Sequence, residues 1–428
     1  MFFEYYKRND PVNLSIRYYR IGFLVSRRIY IKLFYIDILA SSCKKAQDIH
    51  HAFFCLHPAM MGQLNTESEE RCFAGRNRTM DMKRDYYEDV KLFSSGVVFF
   101  WFMVLMAFLA AYPFLVKNYY VYVANYIAIN IIVVIGLNIL VGYTGQISLG
   151  HAGFFAIGAY GTLILMTKFS LPFLLALPLS ALIAAIFGFL LGLPALRLEG
   201  PYLSIATLGF GLTITRVIGK IEFFGGRQGL HAPELVIGSW HLKTDRDFYY
   251  LLMVITVLMT VGARNLIKTK VGRAFVAIRD ADIAAETMGV NLVFYKTLSF
   301  AVSAFYTGIA GGLYAFVLRF IEPEVFSLFM SIMFLAMVVV GGLGSIMGSI
   351  AGACLLGWLD LQLRNILSLP YIGSWLESLS KSYFSITGVS NIQFILFGLI
   401  MVLIMLFEPL GIFGFWIRTK KYWRTWPF

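Results

Sequence analysis

Ten apolar runs constrain the possible folds of this chain more than any other feature. A helix needs about 20 mostly apolar residues to cross a bilayer, and in lipid every backbone polar group must be bonded internally. The pattern therefore predicts an all-α fold, a polytopic transmembrane helical bundle with about 8–10 spans. The third, fifth and ninth runs are rich in Gly, which also suits broken or re-entrant helices. The runs lie at 95–116, 121–141, 147–166, 172–193, 201–218, 248–265, 298–317, 327–343, 345–359 and 391–409.

Charge is scarce and unevenly placed. Charged residues make up 14% of the chain, whereas a soluble domain has about 25%, so much of the surface must face lipid. The net charge of +12 is spread over loops and the two ends. This distribution is typical of Lys and Arg that mark cytoplasmic segments, and it does not indicate a nucleic-acid partner.

The sequence carries no signature of catalysis or of cofactor binding. It has no GxxxxGK[ST] segment, the usual means of binding ATP. Its cysteines have neither metal-ligand spacing nor the arrangement of a disulfide framework; they are Cys43, Cys55, Cys72 and Cys354. We therefore expect a protein that is not an enzyme, binds no metal and holds no cofactor of its own.

Residues 1–79 differ in composition from the rest of the chain. They hold three of the four cysteines and half of the six histidines, at spacings that do not match a metal site. One interpretation is a cytoplasmic extension. Our preferred hypothesis is that the natural protein starts at Met80 or Met82 and that the upstream stretch is a gene-model extension, because the composition changes abruptly there. The transmembrane domain is then predicted to occupy 80–428.

The loop charges predict an orientation. The loop 264–297 carries six Lys or Arg against three acidic residues, and the tail after 417 carries four basic residues and no acid. The loop 219–247 has four charges of each sign. The positive-inside rule places 264–297 and both termini in the cytoplasm and 219–247 outside. With ten spans, both termini and the loop 264–297 lie on one side of the membrane and the loop 219–247 lies on the other, as the rule requires.

The segment 270–299 is the longest polar, helix-prone stretch between two apolar runs. Its apolar residues recur at three- and four-residue steps, which predicts one face of an amphipathic helix; they are Phe275, Ile278, Ala281, Ala285 and Met288. Gly272 suits a turn before this helix and Gly289 suits its end. The helix would either lie as a connector on the lipid surface or insert its apolar face into a groove on a soluble partner.

A second stretch, GLNILVGYTGQISLGHAGFFAIGAYG from Gly136 to Gly161, crowds glycines and polar side chains at membrane depth. It suits a helix–helix contact whose polar groups are satisfied internally. It equally suits an unwound segment that lines a transport route and offers free N–H and C=O groups to a zwitterion. The candidate residues for such a path are Asn138, Gly142, Gly145, Gln146, Ser148 and His151.

This second stretch closely resembles the permeases of branched-chain amino-acid ABC importers, in which GQ.SLGHA.F.A.GAY is characteristic. Further matches follow in the same order along the chain, at 196–202, 206–208, 225–230, 272–274, 303–311 and 341–348. Ala284-Ala285 with Gly289 resembles the EAA…G loop of importer permeases, although Ile283 replaces the leading Glu. The resemblance covers roughly 95–410, excludes residues 1–79 and is strongest to the longer of the two permease subunits.

The resemblance implies a permease subunit in a bacterial inner membrane, which contacts membrane lipid and has no nucleic-acid partner. Its expected partners are a second homologous permease, two cytoplasmic ATPases that bind the ATP, and a periplasmic substrate-binding protein. The coupling loop that rests on the ATPases would comprise Gly272, Arg273, Phe275, Ile278, Ala284, Ala285, Glu286 and Gly289.

Leucine, isoleucine and valine are the substrates that the resemblance favours, and urea with short-chain amides is the alternative. A stand-alone ion-coupled transporter is the competing class. Such carriers place acidic groups at mid-membrane for the coupling ion, and the first four runs contain none there.

Overall fold

The computed structural model describes residues 96–425 except 196–197, 199, 238–239, 243, 368–388 and 409–410. The predicted extension 1–79, the candidate starts Met80 and Met82, and most of the loop 360–390 lie outside the described residues. Thirteen α-helices are present in the described part. They are α1 Gly96–Leu115, α2 Asn118–Asn138, α3 His151–Thr167, α4 Phe173–Ala195, α5 Pro201–Lys220, α6 Asp245–Lys268, α7 Lys270–Asp280, α8 Asp282–Thr287, α9 Leu292–Leu318, α10 Leu328–Gly341, α11 Ile346–Leu367, α12 Val389–Phe407 and α13 Gly411–Thr425.

The apolar helices match the predicted runs one for one. In the described part, seven segments are long and apolar enough to cross a membrane: Asn118–Tyr143, Phe173–Pro194, Pro201–Lys220, Asp245–Lys268, Leu292–Leu318, Ile346–Leu363 and Phe397–Lys420. Three shorter apolar helices lie at Phe99–Leu115, His151–Thr167 and Leu328–Gly341. The all-α, polytopic prediction is confirmed.

The three Gly-rich runs behave differently from one another. The fifth and ninth form the unbroken helices α5 and α11. The third was predicted to begin at 147, but α3 begins only at His151, because the chain from Gly145 to Gly150 is not helical. Gly145 has a φ of +74°, a left-handed conformation that ends the preceding helix. This predicted span is therefore too long at its start.

Helices α2 and α9 form the centre of the bundle. In the most apolar stretch of each helix, 83% of the residues are buried in α2 and 78% in α9, whereas 22% are buried in α6. Helix α9 packs against α4, α3 and α2. Close approach depends on small residues: a side chain at Gly158 of α3 would collide with the backbone of Gly308 in α9. In lipid the hydrophobic effect does not drive helices together, so close packing at small residues is what lets them associate.

Two small antiparallel sheets lie at one end of the bundle, which we call the hairpin end. β2 (Leu235–Ile237) pairs with β3 (Trp240–Leu242). β1 (Leu230–His231) pairs with β4 (Phe320–Ile321), which follows α9. At the same end, Asn125 of α2 donates a hydrogen bond to the Asp245 carbonyl oxygen at 3.1 Å. The described residues of the predicted loop 219–247 therefore form three short strands, one of which pairs with the chain after α9.

The segment after α6 forms two helices where one was predicted. Ala281, with φ −163° and ψ 104°, separates α7 from α8. Gly272 lies inside α7, not in a turn before it, and a side chain there would collide with Ile267 at the end of α6. Gly289 ends α8 as predicted: its φ is +85°. Hydrogen bonds from Gly289 N to Glu286 O (2.9 Å) and from Val290 N to Ala285 O (3.0 Å) form a Schellman motif.

Candidate functional site

Helix α7 contacts the end of α2 through a charged hydrogen bond. Directly after α2, the chain continues as a π-helical turn, Ile139–Tyr143. Arg279 Nη1 donates to the Gly142 carbonyl oxygen there at 2.9 Å. A cation at a helix C-terminus stabilises the negative end of the helix dipole, and charged donors form strong hydrogen bonds. This bond ties the α7–α8 segment directly to a central helix, at what we call the α7–α8 end of the bundle.

Asn138 joins the same helix to the loop between α10 and α11. Its Nδ2 donates to Ser345 O at 3.0 Å and to Ser349 Oγ at 2.7 Å. Its Oδ1 accepts from Gly344 N at 2.9 Å. A side chain at Gly142 would collide with the Asn138 amide and with Gly344. The amide is therefore committed to a structural contact that also requires glycine at 142.

His151 begins α3 and is fully buried. Its Nδ1 lies 3.2 Å from Ser148 Oγ, and its Nε2 lies 2.7 Å from Ser303 Oγ of α9. One residue further on, Ala152 N donates to Ser331 Oγ of α10 at 2.9 Å. Buried polar groups are stable only when they are hydrogen-bonded, and here the bonds hold three helices together at the start of α3.

Gln146 differs from these two residues. The residue is 8% exposed, and neither its amide nitrogen nor its amide oxygen has a hydrogen-bond partner among the described residues. Its backbone N–H bonds to Leu140 O at 3.1 Å, which fixes its position. A buried polar group without a partner costs about 1–3 kcal/mol, so this amide marks a place where a ligand or a partner would be stabilised.

The six residues predicted to form a path thus lie together at the α7–α8 end, and all except Gly145 are buried within this chain. The bonds of Asn138 and His151 are those expected of a helix–helix contact. The role of these residues in transport stays a prediction. The sequence offered no role for Ser303 and Ser349, because their partners His151 and Asn138 lie 152 and 211 positions away in the chain.

The predicted coupling residues divide between two faces of the α7–α8 segment. The inner face packs on the bundle: Phe275 and Ile278 are 0% and 2% exposed, and Ala285 and Gly272 are also buried. The Phe275 ring meets Tyr295 of α9 edge-on, with centroids 6.4 Å apart. Three of the five residues of the predicted apolar face are therefore covered by this chain itself, whereas Ala281 and Met288 are exposed, and the docking of this face on a partner stays a prediction.

The outer face of the segment carries the other predicted coupling residues, which are Arg273, Ala284, Glu286 and Gly289. It also carries Ile283 and Met288, which are 81% and 84% exposed. An ion pair anchors the segment from below, since Lys296 Nζ of α9 lies 2.6 Å from Asp282 Oδ2. Sequence reasoning missed this pair, although both of its members lie within the segment 270–299.

No group of three or more His, Cys, Asp or Glu side chains capable of holding a metal occurs among the described residues.

Comparison with known proteins identifies the family. A family model described as branched-chain amino acid transport system / permease component matches residues 119–406. The chain is similar to the high-affinity branched-chain amino acid transport system permease protein LivM of Salmonella typhimurium, with 33% identity over 280 residues that cover 59% of this chain and 66% of that protein. LivM of Escherichia coli is 34% identical over 282 residues, which cover 60% of this chain and 66% of that protein.

A third relative belongs to an archaeon. The probable branched-chain amino acid transport permease protein LivH of Methanocaldococcus jannaschii is 27% identical over 277 residues, 62% of this chain and 83% of that protein. No solved structure matches the chain. The chain spans 66% of the length of the two LivM relatives. The family model covers well over half of the chain, which is a multi-pass membrane protein and belongs to the permease components of branched-chain amino acid transport systems.

Proposed function

We propose that this chain is a permease subunit of an ATP-driven importer that moves leucine, isoleucine and valine across a bacterial inner membrane. The family match and the names of the LivM relatives support the substrate class. The similarity to both LivM and LivH proteins supports a second, homologous permease as the partner within the membrane. Both termini and the α7–α8 end face the cytoplasm in this proposal, and a periplasmic binding protein delivers substrate at the hairpin end.

Two ATPase subunits, which bind the ATP, complete the proposed assembly. The outer face of α7–α8 is the surface to which one of them docks. Ile283 and Met288 expose apolar side chains on this face, which also carries the exposed Arg273 and Glu286. Apolar anchors surrounded by charged residues are typical of a helix that fits a groove on its partner.

The observation that carries the proposal is the bond from Arg279 to the Gly142 carbonyl oxygen. It connects a surface helix to the end of the most buried helix of the bundle. A displacement of α7 would therefore act on α2, and through Asn138 on the loop before α11. We propose that the predicted path residues move together with α2, and that Gln146 and Gly145 lie nearest to the path of the substrate.

Copurification tests the docking surface. Ile283→Asp and Met288→Asp place a charge where an apolar anchor would be buried, so ATPase binding should weaken by at least about 2 kcal/mol, or about thirtyfold. Lys270→Asp, at an exposed position on α7 away from these anchors, is the control and should retain binding. Equal retention of the ATPases by all three variants would contradict the docking surface.

Reconstitution tests the activity. Proteoliposomes that contain the assembled subunits should take up leucine only when ATP is supplied to the ATPase side. Uptake driven by an ion gradient without ATPases would establish a secondary transporter. Competition by urea or acetamide, but not by isoleucine or valine, would establish the amide class.

A further inference from the structure

A cavity lies beneath the α7–α8 junction. Its volume is about 330 Å³, and it is bounded by the chain after α2, the start of α5, the junction itself and the first turns of α9. Sites for small molecules begin at about 300 Å³, so the cavity is large enough for a compact ligand but small for a peptide. It is separate from the outer face to which we assign the ATPase.

Gln146 is among the residues that line this cavity, and its side-chain amide has no hydrogen-bond partner in the described part of the chain. The residue is more than nine-tenths buried, and its amide, which offers both a donor and an acceptor, lies just behind the cavity wall, so the side chain must rotate toward the cavity to reach a ligand. The nearby amide of Asn138 is fully used by protein partners. The contrast within one segment indicates that Gln146 is positioned for a group that does not belong to this chain.

Charges of both signs line the same cavity. Arg279 and Lys296 contribute the cations, and Asp280 and Asp282 contribute the carboxylates. Lys296 pairs with Asp282, and Arg279 pairs with Asp280 at 3.2 Å. The charges of the described lining residues therefore balance, which disfavours an anion or a cation and favours a ligand that carries both charges itself. Ile278 and Leu203, both buried, provide the apolar part of the wall.

We propose that this cavity binds a small neutral zwitterion, an α-amino acid with an aliphatic side chain. Its carboxylate faces Arg279 and Lys296, its ammonium group faces Asp282, and the Gln146 amide bonds to its polar end. The choice of amino acid rests on the proposed function. On that function the cavity faces the cytoplasm, so an imported amino acid bound there holds the junction against the bundle and restrains α7–α8 as product accumulates.

Cysteine protection tests the site without any need for transport. Ala281 lines the cavity at the junction, whereas Ala284 is exposed on α8 and is not part of the lining. Ala281→Cys and Ala284→Cys are introduced separately into the full chain after the native Cys43, Cys55, Cys72 and Cys354 are replaced by Ser. Membrane vesicles are then labelled with a maleimide, with and without leucine.

Leucine at about ten times its dissociation constant should slow labelling of Ala281→Cys about tenfold, because the bound fraction is shielded. Labelling of Ala284→Cys should not change. 4-Methylpentanoate lacks the ammonium group and 3-methylbutylamine lacks the carboxylate, so neither should protect. Protection of both cysteines, of neither, or by either singly charged analogue as well as by leucine would overturn the proposal.

Two further variants test the residues that recognise the ligand. Gln146→Leu removes the unpartnered amide, and Asp282→Asn removes the carboxylate assigned to the ammonium group. Each should abolish protection of Ala281→Cys by leucine while the labelling rate of Ala284→Cys stays at its parent value, which shows that α8 is intact. Protection that persists in both variants would overturn the assignment. A failure of ATP-driven uptake would leave these labelling results unaffected, so the two proposals fail separately.

Discussion

The two faces of the α7–α8 segment differ in what covers them. The inner face has its partners within the chain: Phe275 packs on Tyr295, and Arg279 bonds to Gly142. The outer face presents Ile283 and Met288 almost fully exposed. An amphipathic pattern therefore predicts that a segment has an apolar side. Only the folded structure shows which of its apolar residues pack within the chain and which stay exposed.

The largest effect should come from emptying the inner face. Phe275→Ala removes a fully buried ring, so we expect a loss of about 3–5 kcal/mol in the free energy of unfolding. Met288→Ala on the outer face should change it by no more than about 0.5 kcal/mol. Unfolding in detergent, followed by the loss of the monodisperse peak in size-exclusion chromatography, measures both. Similar values for the two variants would refute the division into faces.

Two buried side-chain amides near the α7–α8 segment differ in whether they have hydrogen-bond partners. Asn138→Leu leaves Gly344 N without its acceptor, so it should destabilise the protein by about 1–3 kcal/mol. Gln146→Leu removes an amide that has no partner, so it should be neutral or stabilising. The same unfolding assay ranks the pair. A larger loss for Gln146→Leu would mean that its amide is bonded in the folded protein.

The ion pair beneath α8 should matter least for stability. Asp282 is 40% exposed in the Lys296–Asp282 pair, and pairs that water can reach contribute about 0–1 kcal/mol. Lys296→Met keeps the apolar stem of the side chain and should lower the free energy of unfolding by less than about 1 kcal/mol. A loss as large as that of Phe275→Ala would show that this pair, and not the aromatic packing, holds the segment in place.

Much of the fold could be predicted from the sequence, because apolar run length determines which segments can cross a membrane. The end of α8 was also predictable, since Gly289 occupies the left-handed position that few other residues tolerate. The break at Ala281 was not. Apolar residues continue at helical spacing through 281, 285 and 288, so the pattern alone gives no reason to end α7.

The site was predicted less well than the fold, for a physical reason. Periodicity shows that Phe275 and Ile278 need an apolar neighbour but does not show whether that neighbour is the same chain. Polar residues at membrane depth pose the same problem. Asn138 and Gln146 look alike in sequence, but the loop 342–345 bonds the Asn138 amide, whereas the Gln146 amide has no partner among the described residues.

In the proposed mechanism, the bond between Arg279 and the Gly142 carbonyl oxygen transmits motion from α7–α8 to the bundle. The most direct measurement compares Arg279→Gln with Lys270→Gln in the reconstituted assembly, with ATPase copurification, ATP hydrolysis and leucine uptake followed together. We predict that Arg279→Gln retains the ATPases and hydrolyses ATP but loses at least about tenfold in uptake, equivalent to about 1.4 kcal/mol of coupling, while Lys270→Gln behaves as the parent. Undiminished uptake by Arg279→Gln would contradict the claim.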